Sequence, residues 1–339
     1  TWTISGHEPG KGPLYGTMMI SVDPNDASVF KTSSSYVYAE SGEQIQRTGQ
    51  TTVYTGYQWR GRSNPRSEDE LREVMFIERD QQQIWGRWFR GDYDEIGPNI
   101  SMKRAVGSTV VTGVHPRAIL QGSSTNVTVY GVGLSDAETL DFGSGISVES
   151  VDEIGDGALR VTLQVADNTG LGGRDLYANG SIAEDAVVVH NGVDRIEVTP
   201  GTGTARSGGA NFPKGYQIFD AWGFDDGPDG EPNTEDDLAL GRVDVSWHLE
   251  EYAATYGDDD IDFVGEIQED GKFVPAADGP NADRSGNRNN IGDVWVVATS
   301  VSGDGAISAR AHLVVMPPLY MRWEPWAEIE TGPRPIGGN

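Results

Sequence analysis

Short runs in which apolar side chains alternate with polar ones recur along the chain, separated by glycine, proline and asparagine, and most are rich in β-branched or aromatic residues. Such a run suits a strand, because successive side chains point to opposite faces and only one face need be buried. Runs over residues 15–22, 34–39, 50–54, 73–78 and 83–89 predict a small antiparallel barrel or meander within residues 1–106. Trp85 and Trp88 are three apart, so one is expected to fill the barrel and the other to lie at its rim. The polar stretch from Arg62 to Arg72 reads as a loop and a candidate partner contact. Runs over 110–116, 123–134, 140–143 and 159–165 predict a β-sandwich over 107–191. Those over 193–200, 243–249, 294–301 and 309–315 predict another over 192–316, with Trp247 as a core ring. Residues 201–212 and 278–291 read as long Gly/Asn/Ser-rich loops of the kind that contact partners. Over 317–339, several prolines accompany Trp323 and Trp326, which predicts an extended arm that docks on something, since both rings would otherwise stay in water.

The fold class is therefore all-β: a small antiparallel barrel, then two sandwiches. The words His115-Pro116, Val129-Tyr130-Gly131-Val132-Gly133-Leu134 and Asp141-Phe142-Gly143-Ser144-Gly145-Ile146 resemble the immunoglobulin-like fold shared by transcription-factor and plexin-type domains. That likeness concerns fold alone, because one sandwich hosts many functions. A length of 339 residues exceeds one ordinary core and accommodates the three domains.

Charge and cysteine content narrow the function. A net charge of −27, from 25 basic and 52 acidic residues, opposes binding to nucleic acid or anionic membrane. The absence of cysteine removes disulfides, thiolate nucleophiles, zinc–thiolate sites and the Cys-x-x-Cys-His attachment of c-type haem. No run of about 18 apolar residues predicts a membrane span, and no basic-plus-apolar leader opens the chain, so Thr1 is expected to be a mature or trimmed end.

The densest chemistry is the acidic, glycine-punctuated stretch from Asp225 to Asp237. Its glycines and prolines turn the backbone, so that carboxylates and carbonyls can converge on a hard cation. With Asp225 at position one of an EF-hand loop, Asp229 falls at five, Gly230 at six, Asn233 at nine and Asp236 at twelve, but position three is Gly227 and the bidentate Glu is missing. The expected ligands of a structural Ca²⁺ are Asp225, Asp229, Glu231 (through its carbonyl region), Asn233 and Asp236; the competing reading is a solvated acidic turn. Asp258, Asp259 and Asp260 with Asp262 form a second acidic run, read as solvated, and His115 reads as packed or solvated rather than as a ligand. No Gly-x-Ser-x-Gly elbow, His-Glu-x-x-His or phosphate loop occurs, and the five histidines suggest no triad.

Four stretches carry a resemblance. They are Gly6-His7-Glu8-Pro9-Gly10-Lys11-Gly12-Pro13-Leu14-Tyr15-Gly16, Gly86-Arg87-Trp88-Phe89 with Asp94-Glu95-Ile96-Gly97, Gly223 through Gly241, and Phe273-Val274-Pro275-Ala276-Ala277-Asp278-Gly279-Pro280-Asn281. In order and over nearly the whole chain, they resemble the α subunit of quinohemoprotein amine dehydrogenase. That family's α subunit begins with a dihaem cytochrome c domain and continues into three β domains, which pack on a β-propeller subunit and a small subunit bearing a cysteine-derived tryptophylquinone. The resemblance implies the three β domains alone: a part separated from its cytochrome region, or a homologue without one. It implies a periplasmic or secreted scaffold with no catalytic residue, haem or quinone of its own, those cofactors belonging to partner domains and subunits. The alternative is a free-standing extracellular β protein that binds calcium or glycans.

Overall fold

The computed structural model describes residues 1–91, 96–136, 139–155, 157–253, 258–284, 289–302 and 305–319. The chain is all-β. Eight antiparallel strands close the first barrel: β1 (Trp2–Glu8), β2 (Gly12–Asp23), β3 (Asp26–Tyr38), β4 (Gln44–Tyr54), β5 (Gln58–Ser63), β6 (Leu71–Ile77), β7 (Gln83–Phe89) and β8 (Asn99–Arg104). Each pairs with the next, and β1 pairs with both β2 and β8, so the sheet has no free edge. Along β6, Leu71, Glu73 and Met75 turn inward while Val74 and Phe76 face out, the alternation a half-buried strand requires. Trp88 fills the barrel at 1% exposure and Trp85 stands outside at 48%. Strands β1, β5 and β8 lie outside the runs predicted from apolar alternation. In β5, Trp59 is the single large apolar residue, and pairing on both sides with β4 and β6 holds an otherwise polar segment in the wall. The predicted loop from Arg62 to Arg72 is correspondingly shorter, since its first two residues end β5 and its last two begin β6.

The second unit comprises β9 (Val110–His115), β10 (Ala118–Leu120), β11 (Ser124–Val132), β12 (Leu140–Asp141), β13 (Ile146–Gly155), β14 (Ala158–Val165), β15 (Gly172–Ala178) and β16 (Ser181–His190). Its sheets run β10-β16-β15-β12 and β13-β14-β11-β9, and Val127, Val129, Val161 and Leu163 of one meet Ile119, Leu176, Val187 and Val189 of the other in one core.

The third contains β17 (Arg195–Thr199), β18 (Thr202–Arg206), β19 (Gln217–Ile218), β20 (Asp220–Asp225), β21 (Leu238–Arg242), β22 (Ser246–Glu251), a single helical turn α1 (Asp260–Phe263), β23 (Gly265–Ile267), β24 (Lys272–Pro275), β25 (Gly292–Ser302) and β26 (Gly305–Met316). Three sheets, β17-β20-β21, β18-β26-β25-β22 and β19-β24-β23, surround Ile196, Ala221, Phe219, Phe273, Val294, Val296 and Leu313. Trp247 packs half-buried against this core rather than within it.

The two sandwiches open alike. β9 runs into Pro116 and β17 into Pro200, after which β10 and β18 join the opposite sheet, parallel to the last strand of their unit. A proline nitrogen cannot donate to a ladder, so each chain is released from one sheet at that point and captured by the other. Among the described residues no helix is long and apolar enough to cross a membrane. Trp323 and Trp326, the core of the predicted arm, lie outside the described residues, as do Asp94 and Glu95.

Candidate functional site

Where the barrel meets the third unit, the turn between β1 and β2 inserts its backbone against a buried carboxylate. Asp220, the first residue of β20, is 3% exposed. One of its oxygens lies 2.7 Å from His7 Nε2, and the other accepts from the Gly10 N–H at 2.9 Å and the Arg242 Nε–H at 2.9 Å. Arg242 also pairs with Glu40 of the barrel and reaches the Gly10 carbonyl at 3.5 Å. Burial alone would push the Asp220 carboxyl up, but the His7 hydrogen bond, the Gly10 N–H and the His7 and Arg242 charges outweigh it and hold the group below its usual range. His7 packs 5.3 Å from Trp222, and Tyr38 donates to Glu8 beneath the same turn. The glycine- and proline-rich stretch from Gly6 to Gly16 thus shapes an interdomain latch.

The second unit is held from both sides. Tyr15 of the barrel stacks on Tyr130 at 4.8 Å and 19°, and a Cβ on Gly113 would lie 2.1 Å from the Tyr15 ring, so glycine is what admits it. Burial first, then the neighbouring Tyr130, pushes the Tyr15 hydroxyl up to about 12 against the opposing Arg117 charge. Arg117 donates to the Asp185 carbonyl at 3.1 Å and across to the Ala239 carbonyl of β21 at 3.2 Å. Each of the three units therefore touches the other two.

The acidic loop closes on itself and on its flanks. Asp225, 1% exposed, accepts from the Asn191 N–H at 2.8 Å and the Gly227 N–H at 2.8 Å. Arg195 bridges Asp226 at 2.7 Å and Asp237 at 2.6 Å. Asp229 accepts from the Glu231 N–H at 2.8 Å, and Asp236 from the Asp229 N–H at 3.3 Å and the Thr234 hydroxyl at 2.7 Å. The Thr234 hydroxyl bond is the largest influence lowering the Asp236 carboxyl. Asn233 adopts a left-handed φ of 64° and donates its N–H to Asp237 at 3.0 Å, while the Glu231 side chain is exposed. Asp225 is thus buried under the loop, Asp229 and Asp236 meet through a backbone N–H, and Glu231 and Asn233 stand outward. A Ca²⁺ shell needs six to eight oxygens about one point. Among the described residues, the only three acidic side chains with oxygens all within 4.8 Å of one another are Asp258, Asp259 and Asp260. The five loop residues named for Ca²⁺ are thus brought onto one loop with Asp225 on its inner side and Glu231 and Asn233 on its outer side.

That second acidic cluster has a protein counter-ion that the sequence did not reveal. Arg284, 5% exposed, pairs with Asp259 at 3.0 Å and with buried Asp260, and donates to the carbonyls of Asn289 at 2.8 Å and Ile291 at 2.6 Å. Asp260 also accepts from the Asp293 N–H at 2.8 Å. Here the aspartates fasten a loop.

Of the predicted loop 201–212, Thr202–Arg206 is strand β18, held by pairing with β26, and only the remainder, with residues of the second predicted loop, lines a cavity of about 220 Å³ that includes Phe212, Asp278, Ile291, Pro317 and Pro318. Asp278 accepts from the N–H groups of Ala210 at 2.6 Å and Asn211 at 3.1 Å, which together hold it below its usual range although burial opposes them. His115 is half-buried, and desolvation lowers its pKa. His7–Asp220 and His312–Asp293, at 2.7 and 2.8 Å, have the base–carboxylate half of a triad, but among the described residues neither histidine is hydrogen-bonded to a serine or threonine hydroxyl.

Family models match almost the entire chain. Residues 1–105 match quinohemoprotein amine dehydrogenase, alpha subunit domain II; residues 108–191 match domain III and residues 196–326 match domain IV of the same subunit. No curated protein matches the chain. Solved structures with partial likeness include titin domains Z1Z2 in complex with telethonin (13% identity, 64% of this chain and 100% of that one, TM-score 0.21). A Bacteroides ovatus glucan-locus protein, SGBP-B, in complex with a mixed-linkage heptasaccharide, shows 11% identity over 93% of this chain and 60% of that one, with a TM-score of 0.26. At such scores these likenesses carry no argument about function.

Proposed function

The chain belongs to the quinohemoprotein amine dehydrogenase α-subunit family, and from that premise we propose that it is the non-catalytic β scaffold of a periplasmic, multi-subunit amine-oxidising complex. The observation that carries this reading is the run of domains II, III and IV in chain order, latched to one another around Asp220, Arg117 and Tyr15. Oxidation of a primary amine needs an electron acceptor, and such chemistry belongs to a cofactor rather than to ordinary side chains. These 339 residues contain no cysteine, so they supply neither a thioether anchor for haem nor a sulfur for a cysteine-derived quinone. In this reading the haem and the quinone sit on partner domains and subunits, a β-propeller and a small quinone-bearing chain among them, and the present chain holds those parts in place.

Amine-dependent reduction of a dye tests the proposal. The purified chain is expected to give none, and the chain co-assembled with the other subunits is expected to turn over. Dye reduction by the isolated chain would overturn the non-catalytic reading.

A further inference from the structure

Outward positions on a soluble barrel wall are ordinarily polar, because they face water. The outer face of β5–β7 departs from that rule. Cross-strand register places Gln58, Phe76 and Trp85 in one row and Arg60, Val74 and Arg87 in the next. Tyr57 stacks on Phe76 at 6.2 Å and 20°, and Phe76 lies 5.7 Å from Trp85 at 50°. The Trp85 indole N–H donates to Glu78 at 2.7 Å, which fixes the ring while leaving its surface bare. Tyr54, Tyr57, Phe76 and Trp85 are 51%, 44%, 38% and 48% exposed. Aromatic side chains of about 150–250 Å² each then leave roughly 300–450 Å² of uncovered ring surface, as large as the biggest patch on a typical monomer.

We propose that this aromatic face, flanked by Arg60 and Arg87, is the docking surface for another subunit of the complex, one whose contact region presents carboxylates around an apolar centre. The inference rests on the scaffold reading above and adds where the scaffold is gripped and by what chemistry. Tyrosine, tryptophan and arginine are the side chains that dominate binding energy at interfaces. Charge selects the partner. Residues 1–105 carry 12 basic and 14 acidic side chains, leaving 13 basic and 38 acidic for the rest of the chain. An acidic partner is therefore repelled by the sandwiches and accepted at the barrel, where the arginines border the rings. A glycan platform fits less well: extended sugars lie flat on coplanar rings, and the 50° tilt between Phe76 and Trp85 breaks the plane.

The test is co-expression of the full chain with the other subunits, followed by measurement of association. Phe76→Ala with Trp85→Ala is expected to weaken association at least tenfold while leaving the isolated chain folded by circular dichroism, because both side chains point out of the barrel. Arg60→Glu with Arg87→Glu is expected to weaken association and to abolish the loss of affinity that added salt causes in the parent chain. A parent chain that joins no other subunit overturns the scaffold reading, and this inference with it. A parent chain that assembles, with both double variants assembling equally well, overturns the inference alone. Saturable binding of a soluble β-glucan that Trp85→Ala abolishes would replace the protein partner by a carbohydrate.

Discussion

Inside the barrel, Thr32, Ser34, Thr51, Ser63 and Glu73 are buried among Tyr36, Trp59 and Trp88, whereas the cores of the two sandwiches are built from valine, leucine, isoleucine, alanine and phenylalanine. Outside, the relation reverses: the barrel shows arginines and bare aromatic rings, and the rest of the chain carries 38 of the 52 acidic residues. The difference follows from geometry. A closed eight-stranded wall leaves a narrow lumen in which each large ring must face a small neighbour. Gly61 fills that role: a Cβ there would lie 2.6 Å from Glu73 Oε2 and 3.0 Å from Thr51 Cβ. A sandwich has two flat faces that interdigitate without such gaps and can leave its outer faces to charge. The proposed docking face accordingly lies on the barrel, and the charge lies on the sandwiches.

The largest effect is expected where the two kinds of unit meet. Asp220→Ala removes the buried acceptor shared by His7, Gly10 and Arg242 and leaves Arg242 only Glu40 as an ionic partner, a loss approaching the ~3–5 kcal/mol of a broken buried pair. In urea, the variant should unfold in two resolved steps, barrel and sandwiches separately, where the parent unfolds in one. A single transition at the parent midpoint would show that the latch contributes nothing.

Glu73 sharpens the contrast between the interiors. Burial raises its carboxyl to about 7, opposed by the Trp59 N–H at 2.8 Å and the Arg47 charge. Because the folded value exceeds the unfolded one, the neutral acid favours the fold. Its contribution is therefore complete below the unfolded value and is lost as pH rises to about 7. At about 1.4 kcal/mol per pKa unit, the loss across that window is roughly 3 kcal/mol. Glu73→Gln keeps an acceptor for Trp59 and removes the titration. By denaturant unfolding it should match the parent near pH 4 and exceed it at pH 8; equal stabilities at both would contradict the buried-acid account.

The smallest effect concerns the acidic loop. With its carboxylates satisfied by backbone N–H groups and Arg195, chelation with EDTA should leave the melting temperature unchanged, and Arg195→Ala should cost about 1.5–3 kcal/mol, as the loss of largely buried hydrogen bonds to charged groups does. A rise of several degrees on adding calcium, abolished by Asp229→Ala, would instead establish the loop as an ion site.

Much of the fold can be read from residues, because alternation such as that of Leu71–Ile77 reports burial directly. Polar strands cannot be read that way: Gln58–Ser63 is a strand because two neighbours pair with it, a condition met only in the closed barrel. The glycine-rich turn at Gly6–Gly12 is visible as a motif, but its partner Asp220 lies 213 residues from His7 and looks like any other aspartate of an acidic chain. Both acidic runs show their carboxylates plainly and hide their counter-ions. Asp226 lies 31 residues from Arg195, and Asp260 lies 24 from Arg284. The exposed aromatic row is half legible: the spacing of Trp85 and Trp88 predicts that one faces out, while the register that sets Phe76 beside Trp85 appears only once the strands are paired.

The central claim, that this chain is a scaffold subunit gripped through its barrel, is tested most directly by native mass measurement of the full chain co-expressed with the other subunits. The account predicts a stoichiometric assembly that contains this chain and that Phe76→Ala with Trp85→Ala splits into free scaffold and remainder. A chain that stays monomeric while the other subunits assemble and oxidise amine without it would contradict the account.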